Sequence, residues 1–130
     1  MEGSEETAQI LARTAYASPA APTRTARSLE YDAFARITHR LKAAIATGHG
    51  GYTALVHALH DNRSLWTTLA ADVADADNRL PQALRAQIFY LSEFTHLHSG
   101  KVLTGAAKAD VLVEINTAIM RGLRHEEDHR

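Results

Sequence analysis

The chain has 130 residues, enough for one domain with one real core and too short for two ordinary ones. Hydrophobic residues make up 45% of it, the mark of a globular chain, and the absence of cysteine excludes disulfides, thiolate chemistry and Cys-ligated metal sites. With 14 Lys+Arg against 15 Asp+Glu there is no global field to draw in nucleic acid or anionic lipid.

In chain order, Met1-Glu2-Gly3-Ser4-Glu5-Glu6 is acidic where a secretory signal is basic. No apolar run approaches the ~20 residues needed to cross a bilayer, so a soluble cytoplasmic protein without a membrane partner is expected. A first helix is predicted over 4–16, with Ser4 as cap and Glu5 and Glu6 in its first turn. It carries few large apolar groups beyond Ile10, Leu11 and Tyr16, and Ser18-Pro19-Ala20-Ala21-Pro22-Thr23 breaks it. Residues 1–22 are thus expected as an N-terminal helix plus linker that is easily displaced, 23–123 as the helical bundle, and 124–130 as a charged, solvated tail.

Within 23–123, apolar residues recur at steps of three and four, and strand-like alternation is nearly absent. The second helix, 25–46, has the stripe Tyr31, Phe34, Ile37, Leu41, Ala44 and Ile45, and stops at the glycine-rich 47–51. The third, 52–73, carries Leu55, Leu59, Asn62, Trp66, Leu69 and Val73 at heptad-like spacing. The fourth, 81–103, opens at Pro81 and is the most apolar. Leu84, Ile88, Leu91, Thr95, His98 and Val102 form its stripe, and Tyr90, Phe94 and Leu97 widen it enough to touch two neighbours. The fifth, 108–123, buries Leu112, Ile115, Ile119 and Leu123. The fold expected is all-α, a compact antiparallel bundle of about five helices with helix four central.

Chemistry-bearing patterns are weak. His57 and His60 share a helix face but sit off the seam, and read as half-exposed side chains rather than a metal site. Glu93-x-x-His96 lacks the second inward copy and the further carboxylates of a di-iron site, and is placed on a face toward water. Asp72, Asp75 and Asp77 lack the glycine and closing glutamate of a calcium loop, and read as a helix end and turn. No nucleophile–base spacing or phosphate loop is present, so no enzyme, metal or cofactor is expected. Arg24, Arg27, Arg36, Arg40 and Lys42 against Glu30 and Asp32 make a modest basic face, read as solvated, so nucleic acid is not expected as a partner.

More informative are Asn62 and Asn116, both inside apolar sectors. A buried amide without partners costs about 1–3 kcal/mol, so each must be bonded, either fixing register within the bundle or reading the backbone of a bound helix. Trp66 reads as the largest core anchor, and Phe89, on the polar arc of helix four with Arg85, as a partner contact.

Residues Asn62-Arg63-Ser64-Leu65-Trp66-Thr67-Thr68-Leu69-Ala70-Ala71-Asp72 and Asn78-Arg79-Leu80-Pro81-Gln82-Ala83-Leu84-Arg85-Ala86-Gln87-Ile88 resemble the alphaproteobacterial flagellar biosynthesis regulator FlaF. Leu112-Val113-Glu114-Ile115-Asn116-Thr117-Ala118-Ile119-Met120-Arg121-Gly122-Leu123 looks like that family's C-terminal helix. Arg27-Ser28-Leu29-Glu30-Tyr31 is similar to the start of its first long helix, with Ala26 where the family usually has proline. The resemblance covers roughly residues 15–123. It implies a helical protein that promotes flagellin production or secretion, functionally linked to the translational regulator FlbT, and it brings no active site.

Joined to the helical pattern, this predicts a chaperone-like grip on an amphipathic helix of flagellin, its C-terminal segment, by an apolar groove. Asn62, Arg63, Trp66, Arg85, Phe89 and Asn116 are the residues expected at the partner surface. Two alternatives stand: action on flagellin mRNA through Arg36, Arg40 and Lys42, and a homodimeric adapter joined near Phe89.

Overall fold

Two glycines in the left-handed region punctuate the chain. Gly48 (φ +72°) lets the first long helix fold over into a short 3-10 turn. Gly51 closes that turn, because a Cβ there would lie 2.8 Å from the Ala44 carbonyl oxygen and 2.9 Å from the Thr47 Cβ. Gly105 (φ +81°) ends the third long helix in a Schellman motif. Its N–H donates to the Val102 carbonyl at 3.0 Å and that of Ala106 donates to the Lys101 carbonyl at 2.9 Å.

The computed structural model describes residues 5, 7, 8, 24–78 and 81–128, with side chains for all of these except 24–30 and 123–128. Its elements are α1 (Arg24–Thr47), the 3-10 turn (Gly48–Gly51), α2 (Tyr52–Ala74), α3 (Gln82–Leu103) and α4 (Asp110–Asp128). The protein is all-helical, with no strand among the described residues. No helix among them is long and apolar enough to cross a membrane.

Antiparallel pairing of α1 with α2 follows from two contacts. Phe34 meets Trp66 edge-on with ring centroids 5.7 Å apart, and two turns later Arg40 pairs with Asp61 at 2.9 Å. Between α2 and α3 the Ser92 hydroxyl donates to the Trp66 carbonyl, and Arg63 donates to the His96 carbonyl, again running in opposite directions. The core is built on the expected stripes: Phe34 and Leu41 from α1, Leu59 and Trp66 from α2, Ile88 and Leu91 from α3, and Leu112, Ile115 and Ile119 from α4.

Between α2 and α3 the aspartates act as turn formers. Asp75 Oδ1 accepts the Asp77 N–H at 2.8 Å, and the Asn78 side-chain amide donates to the Asp72 carbonyl at 2.9 Å. Pro81 is the residue before α3, in extended conformation, and Arg85 N–H returns to its carbonyl.

Two expectations are revised, and a third lies largely outside the described residues. The fourth predicted helix, α3, takes an outer place. Close backbone approach runs α3 to α2, α2 to α1 and α1 to α4, so α1 and α2 hold the inner positions among the described residues. Of the apolar surface that suggested a second neighbour, Leu97 is 71% exposed while Phe94 packs against the core and stacks on His98. The fifth helix starts at Asp110 and continues to Asp128, so residues 124–128 of the predicted tail are helical. Nothing after Leu123 breaks a helix, and charge alone does not. The helix predicted over 4–16 falls largely outside the described residues. Glu5, Thr7 and Ala8 are helical, and Ala8 is wholly buried against the core. The linker 18–23 lies outside them as well.

Candidate functional site

At the centre of the bundle three of the six residues expected at a partner surface bond to one another. Tryptophan has only an N–H to give, so the Trp66 Nε1, 3.1 Å from Asn116 Oδ1, fixes which way that amide points. Asn116 must then direct its NH2 elsewhere, and Nδ2 donates to Asn62 Oδ1 at 2.8 Å. The result is a one-way relay, Trp66 to Asn116 to Asn62, that ties α2 to α4. Each of the three side chains is completely buried. The relay ends on Asn62 Nδ2, which has no partner among the described residues, as is also true of the buried hydroxyls of Thr38 and Thr95. An unsatisfied donor of this kind costs about 1–3 kcal/mol, offset here by the two bonds and by Trp66 packing on Phe34.

A second set of bonds fastens α3 to its neighbours. Arg63 reaches across from α2 and donates to the His96 carbonyl at 2.8 Å. His96 Nδ1 donates to the Ser92 carbonyl at 2.9 Å, and Nε2 lies 3.0 Å from the Thr67 hydroxyl. His96 is thus half-buried and bonded, in contrast to its predicted place facing water, whereas Glu93 is exposed. His98, buried and stacked on Phe94, donates from Nε2 to the Lys108 carbonyl at 2.7 Å and holds the α3–α4 connection. No composition signal pointed to these straps. His98 lay on the apolar stripe, and that placement was the one hint that its ring is buried.

Phe89 is 44% exposed and Leu97 is the most exposed of the large apolar side chains among the described residues, with Tyr90 between them on α3. Arg85 is half-buried, and its Nε is buried without a partner. Of the six expected contact residues, therefore, Asn62, Trp66 and Asn116 are interior, Arg63 straps two helices, and Arg85 and Phe89 reach the outer face of α3.

A separate shallow groove of about 430 Å³ lies between α1 and α2. Ala43, Ala44, Ala54 and Ala58 line it, and Arg40, Asp61 and His57 flank it. Small side chains there leave the two backbones accessible to a third helix at short range. Arg40 makes an exposed ion pair with Asp61 at 2.9 Å at this rim. Among the described residues, no three His, Asp or Glu side chains gather closely enough to share a cation.

No curated protein and no solved structure is detectably similar to the chain. The sequence model of the flagellar protein FlaF family matches residues 12–123, which is most of its length. A match that spans the relay, both inner helices and all of α3 shows that this flagellar protein belongs to the FlaF family.

Proposed function

We propose that the protein binds flagellin and promotes its production or secretion by covering an amphipathic helix, a chaperone-like and non-enzymatic role in the cytoplasm. The observation that carries this reading is the alanine-lined groove between α1 and α2. It is apolar along its floor and polar at its rim, which suits a helix with one oily face. The proposal further has residues 1–22 move away on binding, which would free the core surface that Ala8 covers.

Calorimetric titration of the full chain with the cognate flagellin C-terminal segment tests this. Saturable binding is expected, and Ala54→Trp, which fills the groove from an exposed position, is expected to weaken it at least about tenfold. Removal of residues 1–22 is expected to tighten it. Absence of binding by the wild-type chain overturns the proposal. Binding that ignores Ala54→Trp moves the site away from the groove. The mRNA alternative rests on Arg36, Arg40 and Lys42, of which Arg40 makes an exposed pair with Asp61.

A further inference from the structure

Along α3, Arg85, Phe89 and Glu93 stand at successive fourth residues and so form one ridge of the helix surface. Phe89, in the middle, is 44% exposed. At one end Arg85 is half-buried, with its Nε out of contact with water and without a partner among the described residues. At the other end Glu93 is exposed and has no partner among the described residues. The two charges are opposite, yet eight residues of helix separate them by about 12 Å, too far to meet each other. Among the described residues neither side chain is engaged in an ion pair.

We propose that this row is a self-recognition surface on which a second copy of the chain docks. The two α3 helices run antiparallel across a two-fold axis at Phe89. A row that reads cation, apolar, anion at equal spacing is its own complement under such an axis. Arg85 of each copy faces Glu93 of the other, and the two Phe89 rings meet at the centre, as an isologous interface requires. Leu97 continues the row and Tyr90 flanks it, widening the apolar part.

The charges choose this register over its neighbours. An axis at Glu93 sets that carboxylate against its own copy and Arg85 against Lys101. An axis at Leu97 pairs Glu93 with Lys101 but leaves Arg85 alone and carries Phe89 past the end of α3 at Leu103. Among the described residues the close backbone approach of α3 is to α2, and Phe89, Glu93 and Leu97 are left exposed. This contact uses a different face from the α1–α2 groove, so its fate is independent of flagellin binding.

Sedimentation equilibrium of the full chain over a wide concentration range tests the proposal. A reversible monomer–dimer equilibrium is expected. Arg85→Glu and Glu93→Arg are each expected to raise the dissociation constant at least about tenfold, because each sets like charges face to face. An equimolar mixture of the two variants is expected to regain association, since each supplies the charge the other lacks, and the double variant is expected to regain it alone. Circular dichroism is expected to show unchanged helix content in all of them. A wild-type chain that stays monomeric throughout overturns the proposal. So does a mixture that associates no better than either single variant, or a dissociation constant left unchanged by Phe89→Ser.

Discussion

The interior relay and the outer row of α3 make an instructive pair. Both contain an aromatic residue beside polar groups at helical spacing, and both drew attention as partner-contacting. In the relay, Trp66 stands between two helices and its polar neighbours face inward, so the N–H and both amides find one another. On α3 the comparable arrangement of Arg85, Phe89 and Glu93 has no helix opposite it among the described residues, and the charges stay unmatched. Chemistry of the residues is similar in kind in the two places. What differs is whether another rod lies across from them, and that decides whether a polar group locks the fold or is left for a second molecule.

The strongest way to press this contrast is at the relay. Trp66→Ala is expected to destabilise the chain by about 3–5 kcal/mol, combining the emptied volume with a stranded Asn116 oxygen, as read by chemical denaturation. Next in size, Asn116→Ala is expected to cost about 1–3 kcal/mol, because it leaves the Trp66 N–H and the Asn62 oxygen buried and unbonded. Combining it with Asn62→Ala is expected to cost less than the sum of the two single changes, with a coupling of about 0.5–3 kcal/mol. Strict additivity there would mean that the two amides act separately. On the inner side of α3 itself, His98→Leu is expected to cost about 1 kcal/mol and to speed amide hydrogen exchange around residues 104–110, whose Lys108 carbonyl it releases. Smallest of all, Leu97→Ala on the outer side is expected to change stability by no more than about 0.5 kcal/mol. A large loss there would show that Leu97 is covered after all and would erase the contrast between the faces.

Much of the bundle could be read before any coordinates. The ends of α1, α2 and α3 fall within a residue of the predicted ones, because Gly48 to Gly51, the Asp72–Asn78 turn and Gly105 each stop a helix by local backbone chemistry. The stripes Phe34–Leu41, Leu59–Val73 and Ile88–Val102 are buried for the same reason that they are periodic. Other features escaped because they depend on what stands opposite. Periodicity measures how much oily surface α3 carries, and it is silent on whether a neighbour covers Leu97. It shows that Asn62 and Asn116 each need a partner, and it cannot show that residues 54 positions apart satisfy one another. The length of α4 was misjudged on a different ground. Charge was taken as an end signal where only a missing breaker mattered, and the helix runs on to Asp128. Of the candidate site, Phe89 was correctly placed at the surface, while the expected apolar groove was given no location, because the alanines between α1 and α2 advertise nothing on their own.

The relay also furnishes the molecule with an intrinsic optical probe. Trp66 is the chain's one indole, shielded from solvent and bonded through its nitrogen to the C-terminal helix. Any event that swings α4 away, whether induced by a ligand or by heat, wets that ring and moves its fluorescence to longer wavelength. Departure of the last helix is therefore observable in unlabelled protein, in real time.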